Sequence, residues 1–195
     1  MVSSRLFLYF LLLILLVAGV AACSRGYTPR PAGYLRIDLP EKSYRLYDSL
    51  TPYLCEIPRY AVMERVNASD SGFTWWNLSF PRYHATIYLT YAPLQGNLAT
   101  YISDSRQMTY AHAQKANAIE EIPFSYPDRA AYGMVFNVKG NVATAVQFYI
   151  TDSVNHFLRG ALYFPVAPNQ DSLAPVVDFF SQDIARIVQT LRWRP

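Results

Sequence analysis

The N-terminal segment constrains this chain most, because it decides which residues remain to build the fold. It begins with one basic residue, Arg5, continues as an apolar run from Leu6 to Val20, and ends in the small pair Ala21-Ala22. A basic start, an apolar centre and small residues at the exit are typical of a secretory signal peptide. We therefore predict that residues 1–22 are removed on export and that the fold begins beyond them.

The cysteine at the exit makes this signal peptide a particular kind. Val20-Ala21-Ala22-Cys23 resembles the lipobox of bacterial lipoproteins, in which the cysteine is acylated, with palmitate for example, and becomes the N-terminus. The alternative is an uncleaved transmembrane anchor. However, the run from Leu6 to Ala22 is marginal against the roughly 20 apolar residues that a spanning helix needs, and only Arg25 and Arg30 follow as a basic flank.

The remaining chain has the size and composition of one folded domain. The whole sequence is 15% aromatic and 16% charged, which is enough apolar material for a core and too little charge for disorder. Gly26, Pro29 and Pro31 disfavour regular structure, so residues 23–32 are predicted to be an acylated N-terminus and flexible tether. Residues 33–195 are predicted to form a single globular domain.

Charge and cysteine usage exclude several classes of function. The formal net charge is only +3 and the arginines are scattered, so no basic stripe supports binding of nucleic acid. Once Cys23 is acylated, Cys55 is the one cysteine left, and its apolar neighbours favour a small buried side chain over a reactive thiol. No Cys/His spacing typical of a metal site is present, and we expect no cofactor.

The hydrophobic pattern predicts strands, one helix, more strands and a closing helix. The first helix is predicted over 98–116, and the second over 173–191 with Ser172 as its cap. A strong two-residue turn signal stands at Gly140-Asn141. The predicted strands cover 53–65, 75–80, 83–91, 119–124, 131–139, 141–151 and 156–164.

This order indicates an α+β fold, with a mostly antiparallel sheet and two main helices, because tight turns join the strands. Residues 83–91 alternate between two faces, as a half-buried strand does. The closing helix carries one apolar stripe of Leu173, Val176, Val177, Phe180, Ile184, Ile187, Val188 and Leu191.

Few residues suggest catalysis or metal binding. Ser153 lies near Asp152 and His156, which would suit a hydrolase, but no nucleophile-elbow motif is present and all three suit a turn. His84, His112 and His156 could gather around zinc, but they fall on separate elements. We favour a structural role, with His112 in the core, and expect neither catalytic residues nor a metal site. Aromatic residues such as Trp75 and Trp76 could form a binding face.

Several segments together resemble the GldD family, the gliding-motility-associated lipoproteins of Bacteroidetes. The closest match is Gln147 to Ser153 followed by His156 to Phe164. The others are Tyr27 to Tyr34, Arg36 to Pro40, Tyr60-Ala61, Asn77, Asn97-Leu98, His112, Lys115-Ala116, Pro168-Asn169 and Asp171 to Pro175.

The resemblance implies a cell-envelope lipoprotein needed for gliding motility and type IX secretion, with no assigned catalytic residues. We expect a non-enzymatic assembly or scaffolding component, anchored through Cys23 in the outer membrane and facing the periplasm. Its expected partners are the membrane and other envelope proteins. The alternatives are a ligand- or glycan-binding lipoprotein and, less favoured, a hydrolase using Ser153 and His156. The element order also loosely resembles the PsbP and Mog1 sandwich.

The most family-like block also contains the predicted partner surface. Asp152, His156 and Arg159 are candidate partner-binding residues, because a turn alone does not require such polar side chains, and arginine is a frequent interface anchor. Phe157 and Tyr163 fall on the same side of the strand as Arg159. The alternative is that Asp152 and Arg159 pair across the hairpin and only fix its shape.

Replacing the predicted lipid acceptor tests the anchor. Cys23→Ala should release the protein from membranes or leave an unprocessed precursor, because stable anchoring takes two or more acyl chains. Membrane fractionation and the mobility of the precursor measure this. Normal processing together with membrane retention in the variant would rule out acylation at Cys23.

Overall fold

The computed structural model describes residue 9 and residues 37–49, 51–66, 72–111 and 115–194. The predicted tether, the acylation site Cys23 and His112 lie outside the described residues, as does the signal peptide apart from Tyr9. The chain forms two compact units, Met1–Tyr34 and Leu35–Pro195. The elements below belong to the second unit, and no helix among the described residues is long and apolar enough to span a membrane.

The described part of this unit contains ten strands and two α-helices. The helices are α1 (Leu98–Tyr110) and α2 (Gln170–Thr190). The strands are β1 (Tyr44–Tyr47), β2 (Tyr53–Pro58), β3 (Val62–Val66), β4 (Thr74–Phe80), β5 (Ala85–Pro93), β6 (Ala116–Tyr126), β7 (Ala131–Gly140), β8 (Val146–Thr151), β9 (His156–Tyr163) and β10 (Arg192–Trp193).

The strands form two sheets in which every pairing is antiparallel. The large sheet has the order β3-β4-β5-β9-β8-β7-β6, and the small sheet has the order β1-β2-β10. The fold class is therefore α+β with a mostly antiparallel sheet and two main helices, which confirms the prediction.

The main core lies between one face of the large sheet and a layer made of α2 and the small sheet. Alternate residues of β5 point into it, among them Ile87 and Leu89, as the period of two predicts. Cys55 on β2 is also buried there, and burial raises the pKa of its thiol to about 12. A thiol with this pKa stays protonated at neutral pH, which agrees with the predicted structural role.

The opposite face of the large sheet is covered only in part. A smaller apolar cluster of Leu94, Phe136, Tyr149 and Phe157 packs there against residues of α1. Because α1 contacts mainly β8 and β9, it leaves the β3, β4 and β5 side of this face uncovered within the described part of the chain. We call this β3–β4–β5 region, with its border on β9, the open face.

Two strand pairs of the large sheet are joined by the same kind of turn. Pro81–Tyr83 links β4 to β5, and Pro127–Arg129 links β6 to β7, each as one 3₁₀ turn. Each turn ends in a left-handed residue, His84 with φ 48° and Ala130 with φ 49°. Proline suits the start of a helical turn, because its fixed φ is already helical and the N–H that it lacks would have no partner there.

The predicted single strand over 53–65 is wrong. The chain turns at Arg59 and Tyr60, where the Ala61 N–H donates to the Pro58 carbonyl at 3.1 Å. Strand β2 belongs to the small sheet and β3 to the large one, so this turn carries the chain between layers. Proline lacks an N–H and therefore suits the last position of β2.

Other boundaries also differ from the prediction. Helix α1 ends at Tyr110 rather than 116, and β6 begins at Ala116. The turn signal at Gly140-Asn141 marks the end of β7, but β8 begins only at Val146. In the loop between them, the Asn141 side chain accepts from the Gln170 N–H of α2. Strand β5 begins at Ala85 rather than 83, since Tyr83 belongs to the preceding turn.

The apolar stripe of α2 is confirmed. Val176, Phe180, Ile184, Ile187 and Val188 are buried against the sheets. The start of this helix differs from the prediction, because Asn169 rather than Ser172 is its cap, and the Asn169 side chain accepts from the Ser172 N–H at 3.2 Å.

Truncating the middle of this stripe should weaken the fold strongly. Ile184 is 1% exposed, so Ile184→Ala should lower the free energy of unfolding by about 2–5 kcal/mol through lost contacts and a cavity. Denaturant titration measures the loss. Gln182→Ala, on the exposed side of the same helix, should change it by less than about 0.5 kcal/mol. Equal effects of the two changes would contradict the core role of the stripe.

Candidate functional site

One carboxylate closes the turn between β8 and β9. Asp152 Oδ1 accepts backbone N–H groups from Val154 at 2.9 Å and from Asn155 and His156 at 2.8 Å. Burial opposes its charge, but the three donors hold the pKa of Asp152 below its ordinary value. Ser153 takes φ 70° in this turn. The Asp152 side chain therefore fixes the turn, as residues of this type commonly do.

The His156 side chain lies on the core side of the sheet, where other residues already contact it. Its Nδ1 lies 2.8 Å from the Tyr91 hydroxyl oxygen. Its ring stacks on Trp193 at a centroid distance of 5.0 Å and an interplanar angle of 7°. Within the described residues, no hydrogen bond joins Ser153 to His156, so the geometry does not supply the nucleophile–base contact that a hydrolase needs.

The histidines do not converge either. His84 precedes the first residue of β5, and His156 pairs with Pro93 at the other end of that strand. At about 3.3 Å per residue, the length of β5 places the two positions roughly 30 Å apart. His112 lies outside the described residues. Among the described residues, no group of three or more metal-ligating side chains gathers.

Arg159 lies on the opposite side of β9 from His156. Its Nη2 donates to Gln147 Oε1, which also accepts from the Thr109 hydroxyl at 3.3 Å. Gln147 is 2% exposed, so it holds the guanidinium against the sheet. Among the described residues no carboxylate forms an ion pair with Arg159. Burial lowers the pKa of the guanidinium.

The three candidate partner-binding residues therefore do not form one patch. The turn joins Asp152 to His156 through a backbone hydrogen bond, whereas Arg159 reaches the face that α1 partly covers. The alternative pairing of Asp152 with Arg159 does not occur, because each has other partners. Of the two tryptophans, Trp76 is in the core at 2% exposure and Trp75 lies on the open face.

A buried ionic cluster escaped the sequence analysis. Asp183 on α2 is fully buried, and its carboxylate accepts from Lys42 Nζ at 2.7 Å. The hydroxyls of Tyr44 and Tyr60 donate to it at 3.0 Å and 2.7 Å. Burial and Asp183 raise the pKa of Tyr44 to about 12 and also raise the pKa of Tyr60, so both hydroxyls keep their protons.

Lys42 is held in this cluster by more than the carboxylate. Its ammonium also donates to the Phe179 carbonyl at 2.7 Å and lies 3.2 Å from the centroid of the Phe179 ring. Burial lowers the pKa of Lys42, while the hydrogen bond to Asp183 and its charge oppose that shift. The signal was present in the sequence, because Asp183 interrupts the apolar stripe between Phe180 and Ile184.

Comparison with known proteins identifies the class. The family model for the gliding motility lipoprotein GldD matches residues 24–193, and the chain belongs to this family. The protein is thus a gliding motility lipoprotein, anchored in the membrane of the cell envelope.

No match was found among curated proteins. Among solved structures, the solution structure of cyanobacterial PsbP (CyanoP) from Synechocystis sp. PCC 6803 is similar. The identity is 12%, the alignment covers 85% of this chain and 100% of that chain, and the TM-score is 0.46. At this degree of similarity nothing about ligands or partners is carried over.

Removing the buried carboxylate should destabilise the protein far more than removing an exposed one. Asp183→Ala leaves Lys42 and two hydroxyls without their acceptor, so the free energy of unfolding should fall by about 3–5 kcal/mol. Glu121→Ala breaks the exposed pair with Arg106 and should cost less than about 1 kcal/mol. Denaturant titration of both variants measures the difference, and similar losses would show that the cluster does not hold the fold.

Proposed function

We propose that the protein is a non-enzymatic assembly component of the gliding and type IX secretion machinery. Acyl chains on Cys23 hold it on the outer membrane, and the domain faces the periplasm. Family membership and the lipobox support the anchor. Ser24-Arg25-Gly26-Tyr27 contains no acidic cluster of the kind that resembles surface-export signals, which supports the periplasmic side.

The open face is the observation that carries this proposal. Three of the large apolar side chains that solvent reaches lie on it, namely Val62 and Tyr88 at 46% and Val66 at 40% exposure. Trp75 and Tyr163 are half-buried on the same face. Clustered exposed apolar side chains commonly mark protein interaction sites, and tyrosine, tryptophan and arginine dominate binding energy there. We infer that another protein of the machinery covers this face.

The strand register makes the open face continuous with Arg159. Trp75 pairs with Thr90, and Thr90 pairs with Arg159, so the three lie in one row across β4, β5 and β9. Neighbours in such a row stand about 4.5–5.5 Å apart. Arg159 is therefore the candidate partner-binding residue that a partner can reach. Asp152 and His156 contribute to partner binding indirectly, because they fix the turn and the register that position Arg159.

The number of residues between the proposed anchor and the domain sets an upper limit on how far the domain can reach from the membrane. Ile37, where the continuous described chain begins, is fourteen positions beyond Cys23. A fully extended chain spans at most about 3.3–3.6 Å per residue, so this distance is at most roughly 50 Å. The anchor fixes the protein on the bilayer surface but allows the domain to reach a protein assembly beside it.

Truncation of a tyrosine on the open face tests the proposal. Tyr88→Ala should leave folding and membrane anchoring intact, because the side chain is 46% exposed, yet it should abolish gliding, secretion and co-purification of the partner. Tyr110→Ala is the matched control, since Tyr110 is 44% exposed but lies on α1. Affinity purification from crosslinked envelopes, with secretion assays on the same strains, measures the outcome.

Two results would contradict the proposal. If Tyr88→Ala cells glide, secrete and co-purify partners as the parent does, the open face is not the assembly surface. If the purified parent forms a dimer that Tyr88→Ala separates, a second copy of the chain covers the face instead of another component. Size-exclusion chromatography with light scattering decides the second point.

A further inference from the structure

A cavity of about 340 Å³ lies where α1 borders the open face. Its volume is within the usual range for small-molecule sites, about 300–1,000 Å³. Four aromatic rings line it, and one cationic side chain reaches it. The residues that matter below are Phe73, Trp75, Tyr101, Phe157, Asp104 and Arg159.

The aromatic walls hold one another in place. The rings of Phe73 and Trp75 are stacked at a centroid distance of 6.3 Å and an angle of 12°. Tyr101, on α1, meets the edge of Phe73 at 6.0 Å and packs on Phe157 at 5.4 Å. Phe157 is in turn buried against Tyr149. The walls are therefore set before any ligand arrives, which lowers the entropic cost of binding.

Arg159 gives the cavity its charge. The bond from its Nη2 to the buried Gln147 fixes the plane of the guanidinium. Its other N–H groups are not fully buried, so they remain accessible to a ligand. Burial partly desolvates the cation, and no carboxylate of the described residues forms an ion pair with it. Such a group binds an anion strongly and with defined geometry.

One acidic group also lines the cavity. Asp104 belongs to the exposed side of α1, where water screens its carboxylate. It forms no ion pair with Arg159 among the described residues. The half-buried guanidinium therefore determines the sign of the charge that the cavity prefers, and Asp104 limits how many negative charges a ligand can carry.

We propose that this cavity binds a single carboxylate attached to an aromatic ring, with the carboxylate on Arg159 and the ring against Trp75 and Tyr101. Two sources offer this chemistry, a free small aromatic acid and the C-terminal phenylalanine, tyrosine or tryptophan of a polypeptide. The inference goes beyond the proposed function and does not rest on it, because binding can be measured on the purified protein without the partner.

The first test compares a charged ligand with its neutral match. The mature protein, purified in detergent, is titrated at pH 7 with 3-phenylpropionate and with 3-phenylpropanamide, and calorimetry or NMR shifts give the Kd values. The acid should bind at least about tenfold more tightly, because only it makes charge-assisted hydrogen bonds. Equal binding of acid and amide, or no binding of either at millimolar concentration, overturns the proposal. This comparison needs no variant.

Variants assign the effect to the two parts of the cavity. Arg159→Gln should weaken binding of the acid about tenfold and leave binding of the amide unchanged. Trp75→Leu should weaken both. Arg82→Gln, an exposed arginine at the β4–β5 turn, is the matched control and should change neither. Unchanged binding of the acid by Arg159→Gln, in a protein that melts cooperatively, contradicts the proposal.

A third titration distinguishes the two sources. The peptide Gly-Gly-Phe with a free C-terminus is compared with its C-terminal amide and with 3-phenylpropionate. Tighter binding of the free peptide than of the small acid assigns the cavity to a chain terminus, and the reverse order assigns it to a small acid. Both orders support the carboxylate chemistry, whereas tighter binding of the amidated peptide overturns it. If Arg159→Gln loses ligand binding while secretion stays normal, ligand binding by the cavity is not needed for secretion. The proposed role of the open face in assembly would still stand.

Discussion

The buried carboxylate of Asp183 is the constraint on which the rest of the domain depends. Its partners come from the segment before β1, from β1 itself and from the β2–β3 turn, and they lie 123 to 141 residues away along the chain. A buried charge without partners is costly, so α2 can pack only when all three segments are in place. The cluster therefore joins the small sheet, the closing helix and the segment before β1.

This arrangement gives the two faces of the large sheet different characters. Side chains directed towards α2 are almost all apolar and buried, such as Leu158 and Leu162 on β9. The other face carries hydroxyls, amides and exposed rings, and α1 covers only its β8–β9 part. Leu94, Phe136, Tyr149 and Phe157 form a second buried cluster on this face, so among the described residues only its β3–β4–β5 part stands outside the two apolar clusters. Binding surfaces commonly arise on such a supported but open part of a fold.

The sequence predicts the elements well where one physical signal dominates. The alternation along β5 and the stripe of α2 are long periodic patterns, and both are confirmed in their buried residues.

The break inside 53–65 was missed because Arg59 and Tyr60 make a tight turn without glycine. The loop after Gly140 was misread because Asn141 bonds to α2, a contact that no local pattern reveals. Asp183 was overlooked because a search for apolar periodicity passes over a charged residue within the stripe. The cavity at Arg159 needs the register of three strands, which sequence periodicity does not supply.

Strand β9 shows how the two faces depend on each other. Gly160 pairs with Phe148 across the sheet, and a Cβ at Gly160 would lie 2.2 Å from the Phe148 ring. The glycine therefore lets that ring fill the core directly beneath the strand and holds the backbone at this position. The neighbouring Arg159 must then project to the other face, where Gln147 receives it. Asp152 fixes the turn before the strand, so the register cannot shift by one residue, a slip that would place Arg159 in the core. The polar residues of this block and its glycine thus act together to present one cation beside an aromatic cavity.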